Sequence, residues 1–297
     1  MIVTATPRYA RILNDVWKPL LALFVWDVIV TVAYFYLPFR APSLPLTLFG
    51  TALALFLGFR DNSAYQRWWE GRVLWGGMIN ASRSFAREVV TLLPYTRDGE
   101  LYDLKRTLVL RHIAYVHVLR CQLRRLDPKP EILRFLSPEE AAGPLGRRNV
   151  ANGIVDGTAG RIAKARAQGH LDTILHARFE STMTDILNLQ GGMERLKNTP
   201  LPNQYRFFPS LFTRIFCILL PIGLVETLGW ATPFGSTVAG LMFLAVLQIG
   251  DDLTDPFANT VHDVPLDAMC RTIEIDLLEA IGDPAPEPLQ PDRDVLW

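Results

Sequence analysis

Cysteine pairs, enzyme signatures and a net charge of either sign are all missing from this chain. Its 30 Lys and Arg balance 30 Asp and Glu over 297 residues, so no overall bias points to nucleic acid. The three cysteines, Cys121, Cys217 and Cys270, have no CxxC spacing and read as buried thiols rather than a disulfide framework. There is no glycine-rich phosphate loop, no GxSxG elbow and no HExxH pair, the best-marked signs of nucleotide binding, hydrolysis and zinc proteolysis. His112 and His117 are five apart, about 140° round a helix, a poor arrangement for two ligands of one metal. No run alternates as a strand would, and no repeat recurs at a fixed period. The N-terminus lacks the short apolar region and small-residue site of a cleavable signal.

What the chain has instead is apolar sequence, 49% of its residues, gathered into four segments. These are Leu20 to Phe39, Leu44 to Phe59, Leu211 to Leu228 and Pro233 to Gly250. A helix needs about 20 mostly apolar residues to cross a bilayer core of roughly 30 Å. The first segment meets that length and the third and fourth nearly do. The second is short, which suits the middle of a protein bundle better than contact with lipid. Arg40 is the only Lys or Arg between the first two segments, and Gly229 to Thr232 carries none. Positive residues collect on the cytoplasmic side, so both termini and the middle of the chain are expected there, with two hairpin tips outside. Tyr34, Tyr36, Phe39, Trp230 and Phe234 lie near those tips, where interfacial aromatics belong. Ahead of the first segment, Tyr9, Ile12, Leu13, Val16, Trp17 and Leu20 recur at helical spacing among Arg8, Arg11 and Lys18. That pattern fits an amphipathic helix at the inner interface or packing against the cytoplasmic region.

Helical patterns continue over Asn62 to Leu93, Glu100 to Leu126, Ile154 to Gln168 and Leu171 to Lys197. Pro94, Asp127-Pro128 and Gly169-His170 interrupt them, and Pro128 to Gly153 reads as loops and short helices. The stretch from Gly282 to Pro291 holds too many prolines for a helix. It is expected to be disordered, the alternative being an extended arm laid on a neighbouring subunit. The fold class is therefore all-α, an integral membrane protein with four transmembrane helices and a helical cytoplasmic domain. Its parts are an N-terminal interfacial helix (1–19), a first transmembrane pair (20–60) and a cytoplasmic helical region (61–205). A second transmembrane pair (206–250), a further cytoplasmic helical region (251–282) and a tail (283–297) complete it.

Two constellations bear on function. Asp251-Asp252-Leu253-Thr254-Asp255 has the DDxxD form with which prenyl-transferring enzymes hold magnesium-bound diphosphate. Such membrane enzymes use two acidic motifs and more spans than the one motif and four spans found here. A helix-end cluster with some cation affinity is the preferred reading, and a magnesium-dependent prenyltransferase-like enzyme the alternative. The second constellation appears when Leu44 to Phe59 is wound as a helix. Thr51, Leu55 and Phe59 then form one stripe, led by Leu48, and Gly50, Ala54 and Gly58 form another about 100° round. Small residues let helices approach closely inside a membrane. Copies meeting through the small stripe would turn the neighbouring one toward a shared axis as a narrow apolar ring, which blocks ions by dewetting. An ordinary buried helix is the alternative. The unbroken run into Arg60 and Trp68-Trp69 favours the pore, because a lining must pass from membrane to vestibule.

Leu57-Gly58-Phe59-Arg60-Asp61-Asn62-Ser63-Ala64-Tyr65-Gln66-Arg67, with Trp68-Trp69-Glu70 and Leu74-Trp75-Gly76 after it, resembles the signature at the end of the second transmembrane helix of bestrophins. Asp255-Pro256-Phe257 and Val264-Pro265-Leu266-Asp267, running into Ile273 to Leu278, resemble bacterial bestrophin homologues. The resemblance covers essentially the whole chain and implies a homopentameric ion channel whose second helices line the pore. It implies a neck at Thr51, Leu55 and Phe59. Thr51 is a departure, since family members usually place an aliphatic residue there, and its hydroxyl is expected to hydrate the outer ring. A second constriction at the cytosolic exit falls on Ile174, a core isoleucine being the alternative. Eukaryotic members bind calcium through an acidic run after Asn-Pro-Phe. Here Asn259-Thr260-Val261-His262-Asp263 keeps only Asp263, which argues against a tight calcium clasp.

The expectation is a passive, pentameric channel for monovalent ions in the cell inner membrane, gated by its apolar neck. Bacterial homologues are generally cation-permeable, so cations are expected, with an anion channel of the same architecture as the alternative. Asp251, Asp252, Asp255 and Asp263 are the candidate cation-binding residues. No cofactor is required. The partners are other copies of the chain, membrane lipids and the permeating ions, and not nucleic acid.

Overall fold

The computed structural model describes Met1 and residues 9–38, 42–94 and 99–297, with the side chains of 9–15 and 101–102 outside that description. Phe39 and Arg40 of the first hairpin tip, and the Tyr9, Ile12 and Leu13 side chains of the amphipathic stripe, lie outside the described residues. What is described is helical, with no strand beyond one isolated bridge between Asp292 and Val295. In chain order the α-helices are α1 (Tyr9–Tyr36), α2 (Leu46–Leu92), α3 (Glu100–Leu123), α4 (Lys129–Ile132), α5 (Pro138–Leu145), α6 (Val150–Ala167), α7 (Thr173–Asn198), α8 (Asn203–Leu228), α9 (Thr232–Leu253) and α10 (Leu266–Ile281). Residues 4–68 and 200–255 form one compact unit, and 1–3, 69–199 and 256–297 a second.

The first unit contains α1, the beginning of α2, α8 and α9. Val16–Tyr36 and Asn203–Leu253 are long and apolar enough to cross a membrane, the latter spanning α8 and α9 together. A 3-10 turn at Gly229–Ala231 separates these two helices, and Gly229 takes φ 54, a conformation few side chains tolerate. At this tip Trp230 stacks on Phe35 with ring centroids 4.5 Å apart, and Tyr36 meets it edge-on. Gly240 of α9 leaves room for Leu23 of α1, since a Cβ would take the place of that side chain. Leu53 and Leu57 of α2 join Phe216, Leu220 and Leu247 in the core. The outer faces are apolar too, with Leu21, Phe24, Val25 and Ile29 exposed on α1 and Val238, Met242 and Ile249 on α9. A surface of that kind suits a solvent of lipid tails. Among the described residues α1 runs unbroken from Tyr9 through Pro19, whose ring removes one backbone donor without ending the helix.

The second unit packs around α3, which is buried on nearly every side by α6, α7, α10 and α4. A helix so enclosed needs partners for its polar groups. His112 Nε2 lies 2.8 Å from Ser82 Oγ, and Tyr115 Oη donates to Gln190 Oε1 at 3.0 Å. His117 Nε2 lies 3.1 Å from Glu274, and Arg120 binds Asp267 at 2.6 Å and Glu131 at 2.7 Å. Burial pushes His112 down to about 3, so it is held neutral. Burial alone would raise Glu131, but Arg134, Arg120 and His117 hold it below the usual carboxylate range.

The tail departs from the expected disorder. Val295 is buried, Leu296 N donates to Met1 O at 2.8 Å, and the Met1 amino group donates to Leu296 O at 2.5 Å. Ala268 N of α10 donates to Trp297 O at 2.7 Å, and Arg106 holds Asp283 at 2.9 Å. Proline excludes helix but not order: these bonds anchor the extended chain to its own unit.

Candidate pore neck

Helix α2 has two faces of opposite character. Leu53, Leu57, Arg60, Ala64, Gly71, Trp75, Met78, Ser82, Phe85 and Val89 recur at steps of three, four or seven residues and are buried. Thr51, Leu55, Phe59, Asn62, Gln66, Trp69, Val73, Asn80 and Arg87 follow the same rhythm on the opposite side and are exposed. Leu55 is 61% and Phe59 62% exposed, and Leu48 leads into them. The three expected neck residues therefore share one exposed face of an uninterrupted helix. The alternative of a helix buried on all sides within one chain does not describe this face.

The small-residue stripe is used differently from what its spacing suggests. A Cβ on Gly50 would lie 3.2 Å from the Phe216 ring, so Gly50 already serves packing inside the chain. Gly58 has nothing within 4 Å of such a position, and Ala54 is exposed. Thr51 Oγ1 donates to Thr47 O at 2.8 Å. Its proton is committed to the helix backbone, which leaves only its acceptor lone pairs for water.

Arg60 corrects the expected path from neck to vestibule. It is 1% exposed and turns about 100° from Phe59, into the bundle. Its Nη1 donates to Leu247 O at 3.0 Å, and its Nη2 binds the Asp251 carboxylate. Asp61 lies 3.6 Å from the same guanidinium. Burial pushes Asp61 up to about 6 against the pull of Arg60, with Asp251 adding to the rise. Arg60 thus does not line the exposed face; it ties α2 just past Phe59 to the end of α9.

The candidate cation-binding residues have other partners. Asp251 is taken by Arg60, and Asp252 accepts from Gln248 Nε2 at 2.8 Å. Asp263 is buried, and its carboxylate accepts from Asn259 N, from Thr260 N at 3.0 Å and from Thr260 Oγ1 at 2.6 Å, closing its own loop. Asp255 lines a cleft beside α8. Among the described residues no group of three or more His, Cys, Asp or Glu is placed to hold a metal ion. Ile174, the second residue of α7, is 80% exposed, so it is no core residue of this chain. Asp172 caps that helix by accepting from Leu175 N at 2.7 Å.

Two residues escaped the reading of the sequence. Asp27 in the middle of α1 is fully buried and accepts from Ser236 Oγ at 3.0 Å and Thr237 Oγ1 at 2.9 Å, both on α9. Arg214 lies exposed among the apolar residues of α8. A lone charge in an apolar run was the available signal for each.

The family described as Bacterial/Fungal Bestrophin protein matches residues 4–279. The chain is 35% identical to the voltage-dependent anion channel-forming protein YneE of Escherichia coli (strain K12), over 96% of this chain and 93% of that protein. It is 34% identical to the voltage-dependent anion channel-forming protein mll4386 of Mesorhizobium japonicum, over 84% of this chain and 78% of that one. A crystal structure of a bacterial Bestrophin homolog from Klebsiella pneumoniae matches with a TM-score of 0.85 and 32% identity, over 90% of this chain and 99% of the other.

Proposed function

We propose a function from one premise: this chain belongs to the bacterial and fungal bestrophin family, a family of membrane ion channels. Our reading is a homopentamer in the cell inner membrane that conducts monovalent anions passively. Five copies of α2 line the pore, Thr51, Leu55 and Phe59 form its neck, and a ring of Ile174 narrows the cytosolic exit. Both termini lie in the cytoplasm. The observation that carries this reading is the exposed stripe of α2, because two large apolar side chains on an otherwise regular helix need something to cover them. Around an axis they cover one another and leave a passage that opens by modest widening.

The apolar neck offers no charge to choose between ions, so the sign rests on the helix beyond it. Past Phe59 the exposed stripe carries Asn62, Gln66, Trp69, Val73 and Asn80, then Arg87. The acids nearest to it, Asp61 and Glu70, lie beside Arg60 and Arg195. Cation-selective pores use rings of free carboxylates, and anion pores use arginine or lysine. The relatives' naming as anion channel-forming proteins supports the same side. The cation permeability expected from bacterial homologues has no acidic residue to rest on among the described residues of this stripe. The enzyme reading has less support still, since Asp251 and Asp252 are engaged with Arg60 and Gln248.

The test is a reversal potential in planar bilayers holding the purified protein under a potassium chloride gradient. A shift toward the chloride equilibrium potential is expected. A shift toward that of potassium would overturn the anion reading and keep the channel; absence of current from verified pentamers would overturn the channel. Leu55→Ala and Phe59→Ala should each raise conductance or open probability, and unchanged currents in both would remove the neck from this stripe.

A further inference from the structure

The polar end of the α8–α9 pair holds a cleft of about 890 Å³ to which α2 contributes no lining residue. Arg206, Ser210 and Arg214 line it from one face of α8, four residues apart, with Phe207 and Leu211 beside them. Thr254 and Asp255 close the other side at the end of α9. Neither arginine has an ion-pair partner among the described residues, and both are exposed. Asp251, the other acid of the lining, is already held by Arg60.

Arg214 is the informative member. It sits among Leu211, Phe212, Ile215 and Phe216, where a charge at membrane depth requires a counter-charge or a route to the interface. Helical side chains lean toward the helix N-terminus. On α8 that direction leads from Arg214 toward Arg206, about 12 Å away along the axis. Both arginines therefore lie on one face of α8 in the lining of a single cleft, with hydroxyls from Ser210 and Thr254 and an aromatic wall at Phe207. Guanidinium binds phosphate oxygens in a planar fork.

We propose that this cleft binds the phosphodiester headgroup of a phospholipid, with Arg206 and Arg214 as its phosphate ligands. The site depends on α8 crossing the membrane and is independent of which ion the pore conducts. It is tested on the full chain purified in detergent, with native mass spectrometry counting bound lipid. Added phosphatidylglycerol should bind the wild type and bind Arg206→Gln/Arg214→Gln about thirtyfold more weakly, at about tenfold per 1.4 kcal/mol and about 1 kcal/mol per interfacial cation. Arg206→Lys/Arg214→Lys should keep most of the affinity, which separates loss of charge from loss of fold. Arg148→Gln, an exposed arginine of the second unit, should behave as wild type. Equal binding in wild type and the glutamine variant would overturn the site. So would loss of the oligomer without loss of lipid, which would hand the arginines to a neighbouring copy. Competition by inorganic phosphate at equal concentration would assign the site to free phosphate and overturn the lipid.

Discussion

The two compact units bury polar side chains to different ends. In the first, the outer faces are apolar, and the buried charges Asp27 and Arg60 each take their partners from α9. In the second, Arg111, His112, His117, Glu88 and Glu274 are all buried, and His117 and Glu274, like the nearby Arg120, each have more than one ionic counterpart. A charge in an apolar bundle has no water to fall back on, so one bond can fix the register of two helices. A network, as in the second unit, spreads the same cost over several groups.

Removing Arg60 should therefore have the largest effect. Arg60→Ala leaves Leu247 O and Asp251 without their donor, and a loss of about 3 kcal/mol is expected in denaturant unfolding of the detergent-solubilised protein. Arg134→Ala, whose side chain is 42% exposed, should cost less than about 1 kcal/mol. Equal costs at the two positions would erase the contrast between the units.

His112 sets the next effect and its pH window. Its folded value is lowered from 6.5 to about 3, so below pH 6.5 the unfolded chain takes up a proton that the folded chain refuses. Stability is lost as pH falls through that range, by about 2 kcal/mol at pH 5. His112→Gln should flatten the slope of melting temperature between pH 7 and 5, and an unchanged slope would show that another group carries it. Tyr115→Phe comes next, at about 1 kcal/mol, because Gln190 keeps its partners Asn149 and Glu194. The smallest effect is expected at the neck's outer ring. Thr51→Val replaces a hydroxyl already committed to Thr47, so conductance should fall only slightly. A collapse of current would mean that the Thr51 hydroxyl, and not the width at Leu55 and Phe59, keeps the passage wet.

Much of the architecture could be read in advance. The break at Gly169, the short helices between Pro128 and Gly153 and the stripe through Thr51, Leu55 and Phe59 all arise from local rules about glycine, proline and helical period. The inward turn of Arg60 could not, because an arginine after an apolar run looks like a surface residue until a facing carbonyl and carboxylate are supplied from Leu247 and Asp251. The tail was misread for a related reason: its order comes from Met1 and Ala268, far away in the chain.

By itself the sequence determined the all-α class, the apolar segments, the family and the residues that share a face of α2, because all of these depend on spacing along one helix or on motif identity. Only the tertiary structure decided which face is covered, where Arg60 and Asp27 find partners, and that Asp251 and Asp252 are engaged by Arg60 and Gln248. Those outcomes depend on which groups from distant segments arrive within a hydrogen bond's length, and no local period encodes that distance.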